Sequence, residues 1–290
     1  MVADTIFMET GCCIISGYHI ERILKNDDGE FDLSLDLGLT RSKVIKSNNA
    51  VELPDGQRIG IELLKKINRR RQLSDCFMIK DSSLLFIYLF DGNSSYKLYE
   101  PGIDLSPTLW INGSVMHMIS HSIPIEESRM KVNLLGKLHG NVLDTCFGLG
   151  YSSIELSKKG ADTVHSYEIS ESSLEIAKVN PWSREAFSNP KIKLDNMDVA
   201  KGLRSSKDEE YDFIFHDPPN IKMGGDLYSL DFYKDLFRAL KPNGILYHFI
   251  GSGREEGKHK SDYVRGAMSR LRMAGFKKIK RSYAGVIASK

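Results

Sequence analysis

The 290-residue sequence has few cysteines and no long hydrophobic run. These two features limit the cellular locations in which we expect the protein. Its four cysteines, two of them adjacent at Cys12 and Cys13, have neither disulfide nor zinc spacing. This usage favours a reducing, cytoplasmic location. No stretch approaches the roughly 18 apolar residues of a membrane span, and the N-terminus lacks the basic start and apolar segment of a signal peptide. We therefore expect a cytoplasmic protein that does not enter a membrane.

The sequence also lacks a strong net charge, since 40 Lys and Arg face 38 Asp and Glu. The positive charge is nevertheless clustered. Residues 65–71 contain five bases in seven positions, and residues 258–281 contain nine bases against Asp262. Such runs can follow the phosphates of a nucleic acid, but they also occur on solvated surfaces. Neither run is interleaved with stacking aromatics, which weakens the nucleic-acid interpretation. The sequence leaves open whether the protein acts on a small molecule or on RNA.

The pattern of turns predicts a small β-rich domain over residues 1–108. Asp28-Gly29, Asp55-Gly56 and Asp91-Gly92 are typical hairpin turns. One helix is predicted there, at Ile59–Ile67. The predicted strands of this domain are Phe31–Leu37, Ser42–Ile45, Phe77–Ile79, Leu84–Phe90 and Tyr96–Tyr99.

Strand and helix patterns alternate in the second predicted domain, residues 109–290. Its predicted strands are Val142–Asp144, Thr163–Tyr167, Ile192–Leu194, Tyr211–Phe215, Ile245–Ile250, Lys278–Ser282 and Gly285–Ala288. Its predicted helices are Glu126–Leu138, Ser152–Lys159, Ser172–Val179, Ser229–Leu240 and Asp262–Ala274. This alternation predicts right-handed crossovers and an α/β fold with a mostly parallel, doubly wound, Rossmann-like sheet.

The turn after the first of these strands indicates a cofactor. Asp144 ends the strand, and Gly148 and Gly150 follow, with the small Cys146 between. Glycines let the backbone approach a ligand closely. Ser153 stands where a dinucleotide motif has its third glycine, and an acid at the strand end suits a cationic ligand better than a pyrophosphate. S-adenosylmethionine fits, because it has an ammonium, a sulfonium and no phosphate.

Each of the next three strands is also followed by a carboxylate: Glu168, Asp198 and Asp217. Glu168 lies 24 residues after Asp144, about where a ribose-binding acid belongs in a doubly wound sheet. Because parallel strands end at one edge of the sheet, we expect these acids to surround one site.

The segment Asp217-Pro218-Pro219-Asn220 supplies hydrogen-bond acceptors at the fourth strand end. Its prolines stiffen the backbone and donate no N–H. The Asp217 carboxylate and a neighbouring carbonyl would then accept hydrogens from an amine. We therefore predict that Asp217, Pro218 and Asn220 form the acceptor side of the site.

Residues 124–290 resemble the class I S-adenosylmethionine-dependent methyltransferases. Within that superfamily the chain is similar to archaeal predicted methyltransferases related to spermidine synthase, on the segments Leu109–Met116 and Leu227–Leu246. The resemblance implies a seven-stranded sheet whose last two strands form an antiparallel hairpin. It also implies that Asp144 faces the methionine end of the cofactor, Glu168 the ribose hydroxyls and Asp198 the adenine amine.

The chain departs from spermidine synthases at three points. Met116 stands where they have Gln, their following acid-rich run is missing, and Asn220 replaces the second Asp of their fourth-strand motif. We therefore predict a methyltransferase acting on a nitrogen, with no metal site. The alternatives are an aminopropyltransferase, an RNA-modifying methyltransferase, or a nucleic-acid-binding module with a vestigial cofactor domain. Assembly as a homodimer is left open.

Overall fold

The computed structural model describes the backbone of residues 12–120, 122–221, 223–251 and 258–290, and the side chains of these ranges except 258–262. The chain divides into two compact units. Met1–Pro124 and Ser172–Arg184 form the first unit, and Ile125–Glu171 and Glu185–Lys290 form the second. The sequence-based boundary between residues 108 and 109 stays a prediction.

The first unit is rich in β-structure, as predicted. Its helices are α1 (Gly17–Lys25) and α2 (Ile61–Arg70). Its strands are β1 (Cys13–Ser16), β2 (Gly29–Leu33), β3 (Ser42–Lys46), β4 (Ala50–Glu52), β5 (Arg58–Gly60), β6 (Cys76–Lys80), β7 (Ser83–Phe86), β8 (Tyr88–Phe90), β9 (Ser95–Tyr99), β10 (Thr108–Ile111) and β11 (Ser114–Val115). In the described residues they form antiparallel sheets of order β1-β6-β7, β2-β3-β4-β5 and β11-β10-β9-β8.

Three local details of this unit differ from the predictions. Helix α1 was not predicted, and the helix expected at Ile59–Ile67 starts later, because residues 58–60 pair with β4 instead. The single strand predicted over Leu84–Phe90 is interrupted at Ile87, which is buried and joins two different sheets.

The rest of the chain alternates helices and strands. The helices are α3 (Pro124–Asn133), α4 (Tyr151–Lys158), α5 (Glu171–Val179), α6 (Arg184–Ser188), α7 (Val199–Ser205), α8 (Leu230–Ala239) and α9 (Lys258–Ala274). The strands are β12 (Asn141–Asp144), β13 (Thr163–Tyr167), β14 (Ile192–Asp195), β15 (Tyr211–His216), β16 (Leu240–Phe249), β17 (Lys277–Ser282) and β18 (Gly285–Ser289). In the part of the chain described, no helix is both long enough and apolar enough to cross a membrane.

The strands of the second unit form one seven-stranded sheet of order β14-β13-β12-β15-β16-β18-β17. The first five are parallel, while β18 runs antiparallel to both β16 and β17. This arrangement confirms the doubly wound sheet and its terminal hairpin. Because β12 to β15 are parallel neighbours, the turns that follow them meet at one edge.

The sheet separates two hydrophobic cores. Val142 of β12 and Phe213 and Phe215 of β15 pack on one face, while Leu143 and Ile214 pack on the other. Successive strand residues point to opposite faces, so each apolar strand contributes to both cores. Both faces are therefore covered, which explains why these strands read as continuous apolar runs.

Candidate functional site

The Asp144 side chain at the end of β12 is completely buried. Its Oδ2 accepts hydrogen bonds from the hydroxyls of Ser152 (2.8 Å) and Ser153 (2.6 Å) at the start of α4. Its Oδ1 is buried and has no hydrogen-bond partner in the described residues. Burial raises the pKa of Asp144 to about 7, although the two hydroxyls act to lower it. A buried acceptor atom without a donor favours a ligand that supplies one.

The turn between β12 and α4 needs its two glycines for different reasons. Gly148 and Gly150 both have positive φ, of 56° and 77°. A Cβ on Gly150 would lie 2.6 Å from Phe147 Cζ and 2.7 Å from Ala186 Cβ, so this glycine permits tight packing. A Cβ on Gly148 would meet no described atom within 4 Å, so the space beside this residue is open.

Glu168, which follows β13, forms a hydrogen bond with the same turn. Its Oε2 accepts the Gly148 N–H (2.9 Å) and its Oε1 accepts the Ser170 N–H (2.9 Å). Burial raises the pKa of Glu168, against the effect of these two bonds. Each carboxylate oxygen has a second lone pair, so Glu168 can still accept hydroxyl hydrogens.

Asp198 lies beyond β14 and begins α7. Its carboxylate accepts the Ala200 N–H at 2.8 Å, as a helix N-cap. The side chain is half-buried. Its structural role is therefore clear, while contact with the adenine amine stays a prediction.

The Asp217 carboxylate follows β15 and forms an ion pair that the sequence did not indicate. Lys131 Nζ of α3 lies 2.8 Å from Asp217 Oδ2 and 2.9 Å from Glu127 Oε1. The Lys131 side chain is 2% exposed and its ammonium lies 4.0 Å from the Phe249 ring centroid. Burial alone would lower the pKa of Lys131, but the Asp217 and Glu127 carboxylates outweigh it and raise the pKa.

The two prolines after Asp217 lead into a hydrogen-bonded turn. The Pro219 carbonyl accepts the Tyr228 hydroxyl at 3.0 Å, and the Asn220 carbonyl accepts the Met223 and Gly224 N–H groups at 2.8 and 3.0 Å. Pro218 is buried, whereas Asn220 is exposed. In the described residues, no hydrogen bond is formed to the Pro218 carbonyl or to Asp217 Oδ1.

A buried histidine network supports this strand end. His216 Nε2 lies 3.1 Å from the Leu227 carbonyl, so this nitrogen carries the proton. His216 Nδ1 must then accept the Thr145 hydroxyl at 2.7 Å. Burial lowers the pKa of His216 to about 3, which keeps the ring neutral. The network therefore links the turn after β12 to the turn after β15.

Cys146 lies among the acids that these strands position. Burial raises the pKa of its thiol well above the ordinary range, and the negative charges of Glu168, Asp144 and Asp217 raise it further. The structure thus brings Asp144, Cys146, Gly148, Glu168 and Asp217 to one edge of the sheet. Within the described residues, no group of three or more His, Cys, Asp or Glu side chains could hold a metal ion.

These residues fit S-adenosylmethionine. The Asp144 Oδ1 atom, which has no donor, can accept from an ammonium, and Glu168 can accept from ribose hydroxyls. The turn between β12 and α4 has open space beside Gly148.

Comparisons with known proteins bear on the family and the fold. A family model described as S-adenosyl-L-methionine-dependent methyltransferase matches residues 168–254, a stretch that contains Glu168, Asp198 and Asp217. An uncharacterized protein of Methanocaldococcus jannaschii is 36% identical over 277 residues, which is 93% of this chain and 93% of that protein.

Solved structures share the fold. A spermidine synthase in complex with the transition state analogue AdoDATO is 19% identical, with a TM-score of 0.59 over 72% of this chain and 77% of that one. The spermidine synthase of Thermotoga maritima is 17% identical, with a TM-score of 0.57 over 72% of this chain and 76% of that one. This chain therefore belongs to the same family as the Methanocaldococcus protein, and the matched family model identifies it as an S-adenosylmethionine-dependent methyltransferase.

Proposed function

We propose that this methyltransferase transfers its methyl group to a nitrogen atom of the acceptor, and that Asp217, Pro218 and Asn220 form the acceptor side. The observation that carries this proposal is the turn after β15, which offers hydrogen-bond acceptors at the same edge of the sheet as Asp144 and Glu168. S-adenosylmethionine supplies an electrophilic methyl group. The chain's own residues have to hold and orient the nucleophile, and positioning of this kind contributes up to about 7–11 kcal/mol.

Two oxygen atoms of this turn are suited to the hydrogens of an amine. Asp217 is 21% exposed, and Lys131 pairs with its Oδ2, so Oδ1 is the oxygen left to accept. The Pro218 carbonyl is the second acceptor, because Tyr228 and the backbone use the carbonyls of Pro219 and Asn220. Two bonds from one nitrogen would fix the direction of its lone pair.

The pairing of the acidic residues on α3 favours methyl transfer over aminopropyl transfer. A polyamine acceptor needs a groove of available carboxylates. The acids of residues 105–135 are Glu126 and Glu127, and both are already paired, with Arg129 at 2.6 Å and with Lys131 at 2.9 Å. Fully paired acids supply little attraction for an added polycation.

The test uses S-adenosylmethionine labelled in its methyl group, incubated with the purified chain and three acceptor pools: a small-molecule extract, total RNA and total protein. We expect label in one pool, on nitrogen by mass spectrometry of the product. Label on oxygen or carbon would contradict the nitrogen assignment. Transfer from decarboxylated S-adenosylmethionine, run in parallel, would instead support the aminopropyl alternative.

The Asp217→Asn variant tests the acceptor side directly. An amide cannot accept at both atoms, so turnover should fall at least tenfold while affinity for S-adenosylmethionine, measured by calorimetry, stays within a few-fold. Asp231→Asn is the matched control, because Asp231 is an exposed acid paired with Lys234 on α8. If Asp217→Asn lost cofactor affinity and turnover in proportion, Asp217 would be a cofactor ligand instead.

A further inference from the structure

The basic run of residues 65–71 lies on and just after α2 in the first unit, and much of its charge is unneutralised. Lys65 pairs with Glu62 at 2.8 Å. In the described part of the chain, no ion pair is formed by Lys66, Arg69 or Arg70, and all three are exposed. A cluster of exposed cations that form no close ion pair produces a positive potential that favours a polyanion.

The next residue, Arg71, joins this charge to a row of aromatic rings. Its guanidinium lies 4.1 Å from the Phe86 ring centroid. The Phe86 and Tyr88 rings are stacked, with centroids 5.6 Å apart and planes 9° from parallel. The sequence places these aromatics fifteen and more positions from Arg71, so the juxtaposition is visible only in the folded unit.

The row of aromatic rings extends to exposed residues. Tyr88 is 41% exposed and Phe90 is 57% exposed, and both lie on β8. Because alternate strand residues share a face, Phe90 lies on the same side as Tyr88, about 7 Å further along. Ile87, between Phe86 and Tyr88, is buried. Phe86 itself packs against the core and contacts Phe77, so the exposed rings of this segment are those of Tyr88 and Phe90.

We propose that this surface, formed by Lys66, Arg69, Arg70, Arg71, Phe86, Tyr88 and Phe90, binds single-stranded RNA. Stacking of bases on aromatic side chains together with cations along the backbone is the chemistry by which proteins hold single strands. A duplex has its bases already stacked on one another and offers no free faces to the rings. Unpaired bases are a normal feature of RNA loops and ends, which favours RNA over DNA.

The test is fluorescence anisotropy with a labelled 12-nucleotide oligouridylate, without cofactor or acceptor, so that its outcome is independent of methyl transfer. We expect saturable binding at about 50 mM salt, with log affinity falling by about 0.7 per phosphate contact for each unit of log salt. Oligodeoxythymidylate and a duplex RNA of equal length serve as comparison probes and should bind more weakly.

Substitutions separate the contribution of the cations from that of the aromatic rings. Arg69→Gln with Arg70→Gln should reduce the salt slope by about 1.4, since two contacts are removed. Lys25→Gln with Lys43→Gln, two exposed and ion-paired lysines of the same unit, should leave the slope unchanged. Phe90→Ala and Tyr88→Ala should each weaken binding roughly 5- to 150-fold, and Tyr88→Phe should restore it.

Several results would overturn the proposal. These are absence of saturable binding at about 50 mM salt, tighter binding of the DNA or duplex probe, or equal losses in the lysine control. Sedimentation of the wild-type chain as a dimer that Phe90→Ala dissociates would also overturn it, because the rings would then bind a second copy. Circular dichroism of each variant confirms that a loss of binding is not a loss of fold.

Discussion

Lys131 Nζ lies 2.8 Å from Asp217 Oδ2, and this ion pair joins a buried helix residue to the acid proposed to orient the acceptor. The two residues are 86 positions apart in sequence. Glu127 pairs with the same ammonium at 2.9 Å, so one buried cation balances two carboxylates. The proposed acceptor side therefore depends on α3 as well as on the end of β15.

Replacement of Lys131 by Met should lower the free energy of unfolding by about 3–5 kcal/mol, because it leaves two carboxylates without their buried partner. Urea denaturation followed by circular dichroism measures the change. Lys158→Met is the control, since Lys158 and Glu185 form an exposed pair at 2.6 Å whose loss should change stability by about 0–1 kcal/mol. Equal effects for the two variants would contradict a supporting role for Lys131.

Asp144→Asn should weaken S-adenosylmethionine binding at least tenfold while the protein stays folded. The expected loss corresponds to one charge-assisted hydrogen bond of about 1.5–3 kcal/mol. Calorimetric titration with S-adenosylmethionine, its decarboxylated form and NAD gives the affinities. The Asp231→Asn control should bind as the wild type does. Unchanged affinity in a folded Asp144→Asn protein would remove Asp144 from the cofactor site.

Replacing each of the two turn glycines by alanine should distinguish a residue needed for cofactor binding from one needed mainly for folding stability. Gly148→Ala adds left-handed strain of about 1–2 kcal/mol and places a methyl group in the open space, so cofactor affinity should fall at least tenfold. Gly150→Ala adds similar strain plus about 1–3 kcal/mol of overpacking against Phe147 and Ala186, so it should be the less stable protein. Thermal melting and calorimetry measure both quantities. Normal cofactor affinity in Gly148→Ala would show that the cofactor does not approach this turn.

The stability of the first unit should depend on pH through Glu100. Burial raises the pKa of this carboxyl to about 7, although His19, whose Nδ1 lies 3.6 Å from Oε2, acts to lower it. An unfolded glutamate titrates near about 4.3. Between these values the folded protein holds a proton that the unfolded chain has lost, so unfolding free energy falls as pH rises from about 4.3 to 7.

Glu100→Gln should abolish this contribution. Urea denaturation at several pH values from 5 to 8 should show a stability difference that grows with pH in favour of the variant. Taking the difference cancels other groups, such as Asp144, that titrate in both proteins. Glu21→Gln, on the exposed side of α1, should follow the wild-type curve. Parallel curves for Glu100→Gln and the wild type would contradict the raised pKa.

The sheet of the second unit was predictable because its signals are local. Each of the first four parallel strands along the chain is a short run followed by an acid, and the strand Thr163–Tyr167 has the predicted bounds. The other bounds differ by a few residues, as at Ile245–Ile250, where β16 starts earlier at Leu240. Ser153, which breaks the dinucleotide pattern, donates to Asp144 in the structure, so the departure from the motif is itself part of the turn.

Two features were not predicted, and for different reasons. Helix α1 begins with a capping box in which His19 takes the place usually held by Glu or Gln, so its start signal was not recognised. The role of Lys131 was missed because a Glu127–Lys131 spacing of four residues is typical of solvent-exposed helices. Its burial follows from packing of α3, which the sequence pattern alone does not specify.

The first unit is assembled from two separated stretches of chain, and this fixes an order of events during synthesis. Trp182 Nε1 donates to the Leu37 carbonyl at 3.0 Å, across 145 positions of sequence. A ribosome that has released residues up to 124 has therefore not yet supplied this hydrogen bond. The N-terminal strands must wait for β12, α4 and β13 to be synthesised before their last neighbours arrive, so completion of one unit is tied to translation of the other.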